Sequence, residues 1–120
     1  MGVFNKSEHI TNETTVISSN AFFKGDIEIS SNVHIDGEIE GNINSKSAIS
    51  VGKNGKVKGD IKGDKVVISG DVEGKVECNE LEILKGGSVK GEVLVKNLII
   101  QKGGNFEGNC KKKDSATSTQ

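Results

Sequence analysis

Apolar and polar positions alternate with period two along most of the chain. Val33, Ile35, Ile39 and Ile43 share one parity, and the residues between them are polar, charged or glycine. That period places alternate side chains on opposite faces of an extended strand. The strands it predicts are short. Residues 49–51, 66–68, 81–84 and 98–100 are β-branched or leucine-rich runs, each closed off by glycine or polar residues. No interval between breaks holds a helix of ordinary length.

A five-residue motif organises the alternation: apolar, Lys or Glu, Gly, polar, apolar. It reads FKGDI at 23–27, IEGNI at 39–43, VKGDI at 57–61, VEGKV at 72–76, VKGEV at 89–93 and FEGNC at 106–110, with starts 16, 18, 15, 17 and 17 residues apart. Self-similarity at such a period marks a repeat architecture. The motif glycine falls on the inward parity, where a corner crowds the core or requires positive φ. A second glycine site precedes each later motif, at Gly37, Gly52 and Gly55, Gly70, Gly86 and Gly87, and Gly103 and Gly104; a polar break follows each. Each repeat thus has three short strands and three corners. The prediction is an all-β fold, a three-sided parallel β-helix of about six turns stacked at roughly 4.8 Å. Uneven turn length favours a right-handed helix over the left-handed kind built on strict hexapeptides. Ile43, Ile49, Ile61 and Val67 do fall on a six-residue grid, with Gly55 filling the gap, but the grid fails at Glu73.

The second motif position reads Lys24, Glu40, Lys58, Glu73, Lys90, Glu107, a strict alternation of sign. In a stack these residues sit one above another. Opposite charges on neighbouring strands attract and like charges repel, so the alternation supports turns stacked in register.

Charge and composition narrow the function. The 120 residues carry a formal net charge of −1, which gives no long-range field for nucleic acid. The basic run at 111–113 has no aromatic neighbours, and no nucleic-acid partner is expected. No apolar run is long enough to cross a membrane as a helix. Cys78 and Cys110 are too few for a disulfide scaffold and lie on the inward parity, where both are expected as small core residues in a reduced, cytoplasmic protein. His34 lies on the outward parity beside Asp36, expected as a surface residue rather than a catalytic base. CxxC, HExxH and GxxxxGK[ST] spacings are all missing. GDIKGD at 59–64 resembles calcium-binding repeats without their nonapeptide. No cofactor, no metal and no catalytic residue are expected. A monomeric β-helical binding module and a left-handed β-helix acyltransferase relative are two classes that remain open.

A β-helix has two open ends, and monomeric solenoids cap theirs. No cap is legible at either end. Phe22 and Phe23 open the first complete turn and Phe106 lies in the last. These three are the candidate end-to-end contact.

At this point the chain resembles the bactofilins, a family of bacterial cytoskeletal proteins. The resemblance covers about residues 16–110. It rests on VHIDGEIEGNI at 33–43, SKS at 45–47, GKVKGDI at 55–61 and the later V-x-G units. It implies a right-handed three-sided β-helix over residues 16–110, flanked by disordered tails at 1–15 and 111–120. It also implies nucleotide-free filaments assembled end to end, peripheral attachment at the inner face of the cytoplasmic membrane, and scaffolding of cell-wall enzymes in cell-shape control. Some members carry an N-terminal targeting segment with Phe followed two residues later by Lys. MGVFNKS at 1–7 offers Phe4 and Lys6, with Val3 as a second apolar contact. One such tail binds a bilayer weakly, and a filament presents many. The family also polymerises through a Phe near the C-terminal end of the core, which matches Phe106. The charge ladder ends in Lys24 and Glu107, so head-to-tail stacking would continue its alternation. The resemblance implies instead two-fold, head-to-head and tail-to-tail joints.

Overall fold

The computed structural model describes residues 14–113. Val3, Phe4 and Lys6 lie outside the described residues. Fourteen strands follow one another in six turns. The first turn holds β1 (Thr14–Ile17), β2 (Phe22–Lys24) and β3 (Ile27–Ile29), and the second β4 (Asn32–Ile35), β5 (Glu38–Glu40) and β6 (Ile43–Ser45). The third holds β7 (Ala48–Val51) and β8 (Lys56–Lys62), and the fourth β9 (Lys65–Ile68) and β10 (Asp71–Glu77). The fifth holds β11 (Glu80–Ile83) and β12 (Ser88–Val95), and the sixth β13 (Asn97–Ile100) and β14 (Asn105–Lys112). Among the described residues there is no helix. The strands start at Thr14 and end at Lys112, against expected limits of 16 and 110.

Every strand pairing is parallel. The first face is a single six-stranded sheet in the order β1-β4-β7-β9-β11-β13. The second and third faces start as separate strands and then run together. From the third turn on, one long strand spans both and bends at the motif glycine. Three corners per turn are therefore present, but one of them is a bend inside a strand rather than a break.

That bend has a simple cause. The six motif glycines have φ between +131° and +143°, a region closed to residues with a Cβ. They stack in register, Gly59 on Gly74 on Gly91 on Gly108. A Cβ on any of the upper five would collide with the carbonyl of the glycine in the turn below.

The core is a narrow column of buried Val, Ile and Leu side chains with Cys78 among them. Each buried aliphatic side chain contributes about 1.5–3 kcal/mol, and each turn supplies only a few. Among the described residues no aromatic is fully buried. The hexapeptide grid put Val67 inward. Val66 and Ile68 are the buried residues there, and Val67 faces out half-buried. Among the described residues Ser45 is the buried polar side chain. Its hydroxyl donates to the Ser31 carbonyl at 2.8 Å and accepts from the Ser47 amide at 3.0 Å. The Asn32 side-chain oxygen accepts from the Ser47 hydroxyl at 2.7 Å and the Ala48 amide at 3.2 Å. The SKS run thus closes a corner by satisfying backbone groups that no strand reaches.

Candidate polymerisation ends

The two ends of the stack differ from its middle because their inward side chains are covered from one side only. At the N-terminal end Phe23 stands in register with Ile39 and takes the inward parity. Ile39 is fully buried, yet Phe23 is 38% exposed. Ile17, Ile27 and Ile29 are half-buried in the same layer and pack on the core. Among the described residues, no strand pairs with the outer edges of β1, β2 and β3.

The C-terminal end repeats this arrangement. Phe106 stands in register with Val89 and is half-buried against the core. Leu98 and Ile100 continue the inward columns of Leu81 and Ile83, and Ile100 is 44% exposed. Cys110 also keeps the inward parity, in register with Val93, but it is exposed. The expectation of a core residue is corrected here: parity aims Cys110 inward, and among the described residues no further turn covers it. Cys78, two turns earlier, is buried, and its thiol lies 3.2 Å from the Glu80 carbonyl, to which it donates. Desolvation pushes the Cys78 thiol from 9.0 up to about 12, with Lys113 opposing.

Phe22 lies elsewhere. It is in register with Glu38 on the outward parity and is 59% exposed. It therefore sits on the side wall at the rim of the N-terminal end, while Phe23 and Phe106 lie on the end surfaces. Sequence reasoning missed Ile99 and Ile100, because residues 98–100 read there as one interior strand. The signal was available: this is the last such run, so no further run of its kind stacks on it among the described residues.

The charge column is in register throughout, Lys24 on Glu40, Glu40 on Lys58, Lys58 on Glu73, Glu73 on Lys90 and Lys90 on Glu107. The pattern is wider than that column. Wherever two charged residues of the described strands stand directly opposite each other, their signs differ, as for Asp71 and Lys56, Lys75 and Glu92, or Glu80 and Lys65. A slip of one turn would break these pairings and a slip of one residue would expose the core. One close side-chain contact with a carboxylate on this surface is instead the hydrogen bond between His34 Nε2 and Asp36 Oδ2, at 3.1 Å. Both are partly exposed, and no group of three metal-ligating side chains converges among the described residues.

A family model described as "Bactofilin: Polymer-forming cytoskeletal" matches residues 15–111. The chain belongs to the bactofilin family. The match spans all six turns. No curated protein sequence matches the chain significantly. Among solved structures, the chain is similar to Thermus thermophilus bactofilin in its double helical filaments, reconstructed by cryo-electron microscopy. The TM-score is 0.78 and the identity 22%, over 82% of this chain and 98% of the other. It is also similar to the crystal structure of a phenylalanine-to-arginine mutant of the same Thermus protein. There the TM-score is 0.71 and the identity 21%, over 73% of this chain and 99% of the other. Bactofilins are a cytoskeletal family, and the fold of this member is theirs.

Proposed function

We propose that this bactofilin is a scaffold subunit that polymerises end to end, without nucleotide, into filaments at the inner face of the cytoplasmic membrane. The observation that carries the proposal is the pair of ends that no cap covers among the described residues. Each carries a half-exposed inward aromatic, Phe23 or Phe106, set in a layer of partly exposed aliphatic residues. Free strand edges and half-covered core residues are both completed by another copy of the chain. Phe22 borders the joint from the side wall. No nucleotide is needed because the glycines form corners rather than phosphate loops.

The joints are two-fold, as the family resemblance implies. Val3, Phe4 and Lys6 anchor the polymer to the bilayer through many weak contacts summed along its length. The filament has no chemistry of its own and acts by position, holding cell-wall enzymes and so influencing cell shape.

The test is electron microscopy and sedimentation of the purified chain without nucleotide. Filaments are expected, and they persist in EDTA. A nucleotide requirement, or a chain that stays monomeric at all concentrations, overturns the reading. Deleting residues 1–7 is expected to leave filaments intact and to reduce their co-sedimentation with liposomes.

A further inference from the structure

The two ends of the stack carry opposite charge. In the last turn, residues 97–113, the lysines Lys102, Lys111, Lys112 and Lys113 stand against one carboxylate, Glu107. Among the described residues of the first turn, Asp26 and Glu28 stand against Lys24. The lysines of the last turn are also concentrated, three of them consecutive at and just past the end of β14.

One of these lysines occupies a position that belongs to the core one turn earlier. Lys112 is in register with Val95, which is fully buried. It takes the inward parity, as Phe106 and Cys110 do, and is exposed on the C-terminal end surface. Its neighbours are placed differently. Lys111 takes the outward parity, in register with Leu94. The Lys113 ammonium turns back along the stack and donates to the Asn79 side-chain oxygen at 3.4 Å. The N-terminal end has no counterpart to Lys112. The inward positions of the first turn are Thr15, Ile17, Phe23, Ile27 and Ile29, none of them charged.

A two-fold tail-to-tail joint sets two such surfaces face to face. Two Lys112 ammonium groups then enter one joint, with Lys111 and Lys113 of both copies around them. Enclosing those charges without a counter-charge is costly. The one carboxylate of the last turn, Glu107, takes the outward parity and already stands opposite Lys90. An ammonium is a compact point charge that suits phosphate oxygens. We infer that the tail-to-tail joint is an anion site, in which a polyvalent oxyanion of the phosphate class binds between the two Lys112 side chains and closes the joint. The inference deepens the end-to-end, two-fold reading above and rests on it. It makes the two joints of one filament unequal: the Phe106 joint responds to the anion and the Phe23 joint does not.

The test isolates each joint in the full-length chain. Phe23→Arg leaves only the C-terminal ends able to pair, and Phe106→Arg only the N-terminal ends; circular dichroism checks that both variants fold. Dimer dissociation constants are measured by analytical ultracentrifugation in sodium chloride and in sodium pyrophosphate at equal ionic strength, so that screening is the same. Pyrophosphate is expected to tighten the Phe23→Arg dimer at least tenfold and the Phe106→Arg dimer less than twofold. The second variant thus controls for the general strengthening of apolar contacts by such anions. Adding Lys112→Met to Phe23→Arg keeps the apolar stem and removes the charge, and its dimer is expected to be equally tight in both salts. The native chain gives the same reading should either arginine variant fail to fold: its filaments lengthen when pyrophosphate replaces chloride, and those of Lys112→Met do not. Phosphatidylglycerol vesicles in chloride are not expected to replace pyrophosphate, because a ligand enclosed between two ends cannot stay in a bilayer. An equal response of both dimers, a response that survives Lys112→Met, or tightening by vesicles and not by pyrophosphate overturns the anion site. Two variants that are each monomeric in both salts yet pair when mixed overturn the two-fold reading instead, since a head-to-tail joint needs one intact end from each, and the two failures are thereby told apart.

Discussion

The carbonyl oxygen of Gly59 occupies the place a Cβ on Gly74 would need. Gly74 also has φ of +139°. Gly74→Ala therefore meets a backbone atom that cannot move without shifting the turn below, in a conformation alanine avoids. We expect a loss of about 3 kcal/mol or more, read as a large drop in the urea midpoint. A shift no larger than that of an exposed Gly→Ala control would mean that the corner can relax.

Reversing one rung of the charge ladder tests register. Glu73→Lys places a cation between Lys58 and Lys90. The expected cost is up to about 1 kcal/mol at low salt, shrinking as salt screens it. Combining Glu73→Lys with Lys90→Glu and Glu107→Lys leaves one like-charge rung, residue 73 on Lys58, instead of two, and should recover part of the loss. Equal melting temperatures for the single variant and the native chain would remove the ladder from the account of register.

The two cysteines should separate cleanly. Cys110 is exposed and Cys78 buried, so a thiol reagent labels one site in the native chain and two after denaturation. Burial holds the Cys78 thiol neutral up to about 12. An unfolded thiol ionises near 9.0. The folded value is thus the raised one. Its contribution is fully present below pH 9 and is lost as pH rises from 9 towards 12. Comparing the native chain with Cys78→Ala across that window isolates this loss from lysine titration. The native chain should lose more stability than the variant between pH 9 and 12.

Phe106→Arg tests the end joint. Phe106 is only half-buried within one subunit, so the subunit folds, and the charge falls where a stacked copy would exclude water, at a cost of several kcal/mol. With two-fold joints the variant loses only its C-terminal contact and stops at dimers joined through the Phe23 ends. Light scattering on the folded variant reads the answer. Monomers would indicate head-to-tail joints, and long filaments would take Phe106 out of the interface.

Much of this protein is determined locally. A period-two pattern, a glycine on the inward parity every 15 to 18 residues, and an alternating charge specify strands, corners and register. In a solenoid each residue's neighbours lie one repeat away, so the repeat itself states the contacts. Buried positions such as Ile61 and Val76 follow from parity alone, as does the outward place of His34.

What parity could not state was coverage. Cys78 and Cys110 carry the same inward signal, and only the count of turns above each separates a buried thiol from an exposed one. Phe22 and Phe23 are adjacent and alike in sequence, and only their register with Glu38 and Ile39 puts one on the wall and the other on the end. Ile99 and Ile100 read as interior strand residues until the stack stops above them. The outer column of the first face, from Val16 to Ile99, belongs to no local segment: its residues are scattered over six repeats and share a column only through the tertiary fold.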